Sequence, residues 1–243
     1  MKKLIFLTAL SLVFLFSSCD SSGSGVRIIP ESSGNINSLS VVVSNEYWDG
    51  SVGEAIREIL GAPVYGLPQE EPLFSMRQLP PQVFSDFTRK NRIVLKVETS
   101  EEADTKFIKD PFARPQKLVL VSGNTSQEII GQLKENAERI ISAFKNEEIK
   151  ETQRRIKKSL HKTNSIEETL GLTLEFPSVY RIAKEENGFF WLRKDIKTGS
   201  MNLMIYEMPS DAIPSGDDAI NEVIKMRDSI GEAHIPGPLE GSF

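Results

Sequence analysis

Three short runs rich in β-branched and other apolar residues constrain the fold more than any other feature. They cover residues 39–43, 92–97 and 117–121. Runs of this length and composition are typical of strands buried inside a sheet. Between the first two runs, five prolines within residues 62–81 exclude a regular helix. They leave room for one short strand near 73–77, and one or two helical turns are expected near 81–87.

Helical periodicity appears in two places among these strands. Residues 52–60 predict a helix, in which Ser51 and Glu54 have the spacing of a capping box and Gly61 ends the helix. Thr125 and Glu128 repeat that spacing at the start of the longest helix. Its apolar stripe consists of Ile129, Ile130, Leu133, Ala137, Ile140, Ile141 and Phe144. Beyond this stripe we expect the helix to continue only as a solvated segment.

Hairpin signals dominate the second half of the chain. A short helix ends at Gly171, and three strands are predicted near 173–183, 188–195 and 201–207. Asn187-Gly188 is a two-residue hairpin turn, and Thr198-Gly199 marks the next turn. A last helix is predicted over about 217–230. In the strand predicted near 188–195, the sequence Phe189-Phe190-Trp191 places apolar side chains on both faces. The favoured interpretation is that both faces are buried, and the alternative is an exposed apolar patch.

The order of these elements predicts an α+β fold rather than a doubly wound sheet. We expect a mainly antiparallel sheet with one long amphipathic helix and several shorter helices. The globular region should cover residues 39–243 and contain two halves of similar element order, about 39–160 and 161–243. The loop-like end of the chain is consistent with a C-terminal part that is incomplete.

The N-terminus carries the signal of an exported lipoprotein. Lys2 and Lys3 precede an apolar run over residues 4–16, which at about 20 Å is too short to span a bilayer. Residues 1–18 therefore predict a signal peptide. The run ends in Phe16-Ser17-Ser18-Cys19, which resembles the lipobox of bacterial lipoproteins. This resemblance implies acylation of Cys19, palmitate being a typical chain, and a stable membrane anchor.

Serine and glycine dominate the segment that follows the lipobox. Residues 19–38 therefore predict a flexible tether with an r.m.s. reach of about 25 Å. The whole chain has 29 Lys and Arg against 34 Asp and Glu. This acidic balance argues against nucleic-acid partners, which are bound through basic surfaces. One cysteine and two histidines, with no recognised nucleotide or metal motif, indicate neither a metal site nor a cofactor.

Several segments together resemble a known family. They are the lipobox, residues 39–60 with Tyr47-Trp48-Asp49-Gly50, residues 72–95 with Leu79-Pro80-Pro81, and Asp110-Pro111-Phe112. The ensemble is similar to an uncharacterised lipoprotein family of the Bacteroidota that is catalogued only as a domain of unknown function. The resemblance implies export and an anchor, and it supplies no catalytic or binding residues.

Two surfaces are weak candidates for binding. Trp48 and Asp49 follow the first predicted strand, where an exposed tryptophan could serve as a platform for a sugar, and Glu46 could complete a pair of carboxylates. The alternative, which is favoured, is that the aromatic residues cover the core and that Asp49 stabilises a helix start. A basic cluster could contact anionic headgroups, although a solvated helix face is favoured; it contains Arg154, Arg155, Lys157 and Lys158.

No catalytic residues emerge from the sequence. His161 lies among polar residues and predicts a solvated surface histidine, and His234 has no identifiable partner. The sequence therefore favours an exported, membrane-anchored lipoprotein of the cell envelope, with the outer membrane as the favoured location and a binding or structural role. The alternatives are a periplasmic carboxylate-dependent enzyme acting on glycan or peptidoglycan, and an assembly factor for other envelope proteins.

Overall fold

The computed structural model describes residues 28–237, apart from four single positions: Pro68, Thr198, Asp217 and Pro236. The predicted signal peptide and Cys19 lie outside the described residues. The chain divides into a first region, residues 28–157, and a second region, residues 159–235. Each region is built around its own sheet.

The first region is organised by a five-stranded mixed sheet. Along the chain its strands are β1 (Ser38–Val42), β2 (Ser75–Leu79), β3 (Ile93–Thr99), β4 (Asp104–Lys109) and β5 (Lys117–Gly123). Their spatial order is β2-β1-β3-β5-β4, with parallel pairing except between β4 and β5. The three apolar runs thus form β1, β3 and β5, and their predicted burial is confirmed.

Four helices cover one face of this sheet. They are α1 (Asn45–Asp49), α2 (Ser51–Leu60), α3 (Ser126–Glu135) and α4 (Ala137–Ile156). Alternate strand residues, such as Leu39, Ile93 and Val119, meet the apolar stripes of the helices in the larger core. Phe74 and Phe144 pack edge to face in this core with ring centroids 5.8 Å apart.

The opposite face of the sheet has a smaller core. Val42, Val94 and Leu118 point to this side and pack with Leu79 and Phe84. Two short 3₁₀ turns cover them, Pro81–Val83 and Asp86–Lys90, which agrees with the helical turns expected near 81–87. Because this cover is short, part of the second face stays accessible to solvent.

The second region contains a three-stranded antiparallel sheet. Its strands are β6 (Arg181–Glu186), β7 (Phe189–Ile196) and β8 (Gly199–Ile205), and β7 is central. Asn187 and Gly188 both have positive φ, 50° and 78°, which confirms the predicted two-residue turn. Helix α5 (Ser165–Leu170) covers one face, where Phe190 and Leu192 are buried against Ile166 and Phe176.

The last helix, α6 (Ala219–His234), joins the two regions. The Tyr65 hydroxyl donates a hydrogen bond to the Asn221 side chain at 2.8 Å. The Arg227 guanidinium donates to the carbonyl of Gly66. Both contacts link α6 to the proline-rich loop of the first region. No helix within the described residues combines the length and the apolarity needed to cross a membrane.

The α+β class is confirmed, and the structure differs from the expectations in several details. The antiparallel pairing holds in the second sheet and at β4, whereas β1, β2, β3 and β5 pair in parallel. Strand β4 is absent from the sequence prediction, because its alternation of charged and apolar residues is short and marks an edge strand. The strand expected near 173–183 begins only at Arg181, since the preceding residues follow an irregular path around Pro177.

Two helix predictions also need correction. Ser51 is the first residue of α2 rather than its cap, because Gly50 occupies the N-cap position. The predicted long helix is two helices, α3 and α4, which meet at Asn136. The side chain of Asn136 donates a hydrogen bond to the Gln132 carbonyl at 3.0 Å and ends α3 there.

Candidate functional site

The N-terminal segment of the described chain lies against the first region instead of extending into solvent. We call residues 30–37 the N-terminal strap. The Ser33 amide donates to the Lys90 carbonyl at 2.8 Å, and the Arg114 amide donates to the Pro30 carbonyl at 2.9 Å. The tether prediction is therefore wrong for residues 30–38, because backbone hydrogen bonds and ion pairs hold them on the domain.

A buried ion network holds the strap in place. Arg92, directly before β3, is 2% exposed. Its guanidinium donates to both carboxylate oxygens of Glu148 at 2.8 and 3.0 Å and to the carbonyl of Asn35 at 3.0 Å. The same carboxylate accepts the Asn37 amide at 2.7 Å. Arg92 thus joins α4 to the strap, and every member of this group has a charged or hydrogen-bonding partner.

A second buried carboxylate extends this network along α4. Glu151 accepts hydrogen bonds from Arg154 at 2.7 Å and from Arg155 at 2.6 Å. The hydrogen bond from Arg154 is the largest cause that lowers the pKa of Glu151 to about 2, against the opposing effect of burial. Arg155 also donates to the carbonyl of Gly34 at 2.9 Å, and Arg154 forms an ion pair with Glu31 at 3.2 Å.

The predicted basic cluster therefore has two different parts. Arg154 and Arg155 hold the strap and neutralise Glu151, so they have structural partners. Lys157 and Lys158 lie just beyond the end of α4 and are exposed. The expectation that the helix is only solvated after Phe144 is wrong, because Glu148 and Glu151 are among its most buried residues.

The other predicted surface lies at the carboxyl ends of β1 and β3. Trp48 is half-buried and packs against the larger core. The Arg57 guanidinium lies over its ring, 4.8 Å from the centroid, and donates to its carbonyl oxygen at 3.0 Å. These contacts agree with the favoured interpretation of the aromatic residues as a cover for the core.

Glu46 and Asp49 occupy the same single-turn helix, α1, and both are exposed. Neither side chain has an ion pair or hydrogen bond within the described residues. A general acid needs a desolvated environment that favours its protonated form. Their solvated positions do not provide one.

Both histidines are partly buried, whereas the sequence predicted a solvated surface position for His161. His161 stacks on Phe176 with ring centroids 4.7 Å apart, and His234 stacks on Phe189 at 4.3 Å. The Nδ1 atom of each ring is buried without a hydrogen-bond partner within the described residues. The two rings lie at separate places in the second region, so they do not form one site.

The partly open face of the first sheet contains a pocket of about 320 Å³, which we call the outer-face pocket. Ser38 and Ser40 of β1 and Arg77 of β2 share this face, because Ser40 and Arg77 are in register. The strap forms one wall, and the 3₁₀ turn Asp86–Lys90 forms another. The complete set of lining residues is Ser33, Gly34, Asn35, Ser38, Ser40, Arg77, Leu79, Phe87, Thr88 and Asn91.

Chemically, the outer-face pocket combines hydroxyls, amides, a guanidinium and an aromatic ring. None of the ten lining residues, all within the described chain, carries a carboxylate or an imidazole. Such a set can donate and accept hydrogen bonds and can hold an anion, but it offers no group that would act as a general base at neutral pH. The geometry therefore suits ligand recognition.

Models of known families match both regions of the chain. The chain belongs to the family described as Domain of unknown function (DUF8532), whose model matches residues 32–157. A second family model, Domain of unknown function (DUF4837), matches residues 159–243. No match was found among the curated proteins or the solved structures. The DUF8532 match includes most of the strap, which is therefore part of the family's domain.

Sequence reasoning missed the buried network and the outer-face pocket. One available signal was Arg92, a charged residue directly before an apolar strand, together with glutamates at positions 147, 148 and 151 of a helix. Their spacing places them on one helical face. The pocket left no such signal, because its residues come from the strap, from two strands and from the turn at Phe87, which only the fold brings together.

Proposed function

We propose that this member of the DUF8532 family is a lipid-anchored binding protein of the bacterial cell envelope. Cys19 would carry the lipid after removal of residues 1–18, and the folded regions would lie on the periplasmic or outer surface of the outer membrane. The lipobox and the apolar run of residues 4–16 support export and anchoring. The resemblance to lipoproteins of the Bacteroidota supports the same role.

The observation that carries the proposal is the attachment of the strap to the domain. Eleven peptide units separate Cys19 from Pro30, the first strap residue, so an anchored Cys19 would lie within about 40 Å of the domain. The strap also forms a wall of the outer-face pocket. A lipid at Cys19 would therefore keep this pocket close to the membrane surface.

A binding role, rather than an enzymatic one, is supported by the chemistry of the pocket and by the solvated positions of Glu46 and Asp49. The pocket offers hydrogen-bonding groups on rigid strands, which is how selective binding sites are commonly built. A contact surface for envelope partners is compatible with this role, and Lys157 and Lys158 at the exposed end of α4 could contribute to it.

The anchor is tested by labelling cells with a palmitate analogue and separating membrane from soluble fractions. The parent protein should carry the label and sediment with membranes. The Cys19→Ala variant should lose the label, whereas the matched Ser24→Ala variant, five residues further along the same segment, should keep it. A label that persists in Cys19→Ala would contradict the proposed anchor.

A further inference from the structure

We infer that the outer-face pocket binds an acidic sugar, with the acidic group on Arg77 and the sugar ring against Phe87. This inference rests on the proposed binding role, but it does not depend on the anchor. The shared chemistry is a saccharide unit that carries a carboxylate or a phosphate. Three features of the pocket support it: an unpaired guanidinium, free hydroxyls on its floor and an exposed aromatic ring at its mouth.

Arg77 provides the reason to expect an anion. Its side chain is exposed and has no ion pair or hydrogen bond within the described residues. By contrast, Arg92, Arg154 and Arg155 in the same region all have carboxylate partners. A guanidinium presents its donors in a planar fork that matches a carboxylate or a phosphate. The guanidinium of Arg77 has no partner, and its residue lies on a strand that lines the pocket, so it is available to bind such a group.

The floor of the pocket provides the reason to expect a polyhydroxylated ligand. Ser40 is 6% exposed, and its hydroxyl has no hydrogen bond within the described residues. Ser38 lies two residues away on the same face of β1. A serine hydroxyl can both donate and accept, as the hydroxyls of a sugar require. Two such groups in line with Arg77 can contact several ring substituents at once.

The Phe87 side chain provides an apolar surface for one face of the sugar ring. Its side chain is 73% exposed although it lies at the mouth of the pocket. The exposed C–H groups of a sugar ring pack against aromatic faces, whereas simple inorganic anions gain nothing from such a contact. The pocket volume of about 320 Å³ is at the small end of ligand sites, which suits one or two sugar units.

The test measures binding by calorimetry with the mature protein in detergent micelles. The probes are galacturonic acid, its neutral methyl ester, glucose 6-phosphate, glucose and inorganic phosphate. At least one acidic sugar should bind at least about tenfold more tightly than its neutral counterpart, as expected for a charge-assisted pair. Preference for galacturonic acid would assign the carboxylate, and preference for glucose 6-phosphate would assign the phosphate.

Variants assign the binding to the pocket. Arg77→Gln should remove the advantage of the acidic sugar, and Phe87→Ser should weaken binding several-fold. Arg181→Gln is the matched control, because Arg181 is also an exposed strand arginine but lies in the second sheet, and it should have no effect. Circular dichroism should show all three variants folded, since neither Arg77 nor Phe87 is part of a core cluster.

Four outcomes would overturn the inference. They are no binding of any probe, equal binding of acidic and neutral sugars, binding of inorganic phosphate as tight as that of the preferred acidic sugar, and unchanged binding in Arg77→Gln. The Cys19→Ala variant, purified in the same detergent, separates the two proposals. Retained sugar binding in a variant without lipid would support the pocket whether or not the anchor exists.

Discussion

The two regions differ in how far helices cover their sheets. In the first region, helices cover one face of the sheet completely, and a second small core lies on the other face. In the second region, the six-residue helix α5 covers part of one face of the sheet, and the C-terminal end of α6 contacts the sheet through the stacking of His234 on Phe189. Leu192 is buried there, but its cross-strand neighbour Leu203 is 42% exposed.

The difference extends to charged groups. The buried charged residues of the described chain, Arg92 and glutamates 147, 148 and 151, all belong to the first region. Burial of charges requires surrounding structure that supplies partners, and the smaller core of the three-stranded sheet buries no charged side chain within the described residues. The first region is therefore stabilised by contacts between residues that are distant in sequence, whereas the second region is stabilised mainly by contacts within its hairpins.

The largest expected effect follows from breaking the buried network of the first region. Arg92→Met leaves Glu148 without its partner in a buried position, and it should lower the free energy of unfolding by about 3–5 kcal/mol. Urea titration followed by circular dichroism measures this change. The double variant Arg92→Met/Glu148→Met should recover a large part of the loss, because it removes both buried charges.

Lys96→Met is the matched control for that experiment. Lys96 lies in β3, four residues after Arg92, and pairs with Glu98 at 2.6 Å, but both side chains are partly exposed. Its loss should cost under about 1 kcal/mol, as is usual for ion pairs near the surface. Equal effects of Arg92→Met and Lys96→Met would show that the buried network contributes no more than a surface pair.

A core substitution in the second region should have a large but local effect. Leu192→Ala removes a buried side chain from a small core and should cost about 2–4 kcal/mol. Hydrogen exchange should show lost protection in β6, β7 and β8, with β3 and β5 unchanged. Leu203→Ala, opposite Leu192 in register, should cost under about 1 kcal/mol, because Leu203 is already partly exposed. Loss of protection in both sheets would mean that the regions unfold as one unit.

Acid should weaken the first region through Glu151. The pKa of Glu151 is about 2 in the folded protein, below its usual value of 4.5. The unfolded chain therefore binds more protons between these values, so the contribution of Glu151 is complete above about pH 4.5 and is lost as the pH falls toward 2. Glu151→Gln should flatten the pH dependence of unfolding in this window. An unchanged slope in Glu151→Gln would contradict the assignment.

The smallest effects come from two glycines with opposite backbone requirements. Gly188 has φ of 78° in the second-region hairpin, so Gly188→Ala should destabilise by about 1 kcal/mol. Gly131 lies in α3 with no atom within 4 Å of the position of an added Cβ. Gly131→Ala should therefore stabilise by about 0.5–1 kcal/mol. Thermal unfolding measures both, and changes of equal sign would contradict the backbone argument.

The same contrast explains which features the sequence could predict. Local signals were sufficient for the Asn187-Gly188 hairpin, for α5 and for the apolar strands β1, β3 and β5. They could not give the pairing of β1 with β2, which lies more than thirty residues further along the chain. The strap is the clearest failure, because its composition is that of a linker, and the residues that hold it, such as Arg92 and Glu148, are distant in sequence.

The candidate site residues show the same contrast between local signals and contacts that are distant in sequence. Residues adjacent in sequence, such as Trp48 and Asp49 or Arg154 and Arg155, were easy to select, and the structure gives most of them structural contacts. Arg77 could not be selected from the sequence, because a lone arginine on a short strand is ordinary. Its position beside Ser40, in the same pocket as Phe87, depends on the sheet order and on the 3₁₀ turn.

Amide hydrogen exchange in the strap tests the central claim, that residues 30–37 are a fixed part of the first region. The amides of Ser33 and Asn37 donate to Lys90 and Glu148, so their exchange should be slowed to within about tenfold of the amides in β3. Arg92→Met should abolish the protection of Asn37, and Lys96→Met should preserve it. Exchange of both amides at the rate of an unstructured peptide in the parent protein would contradict the attachment of the strap.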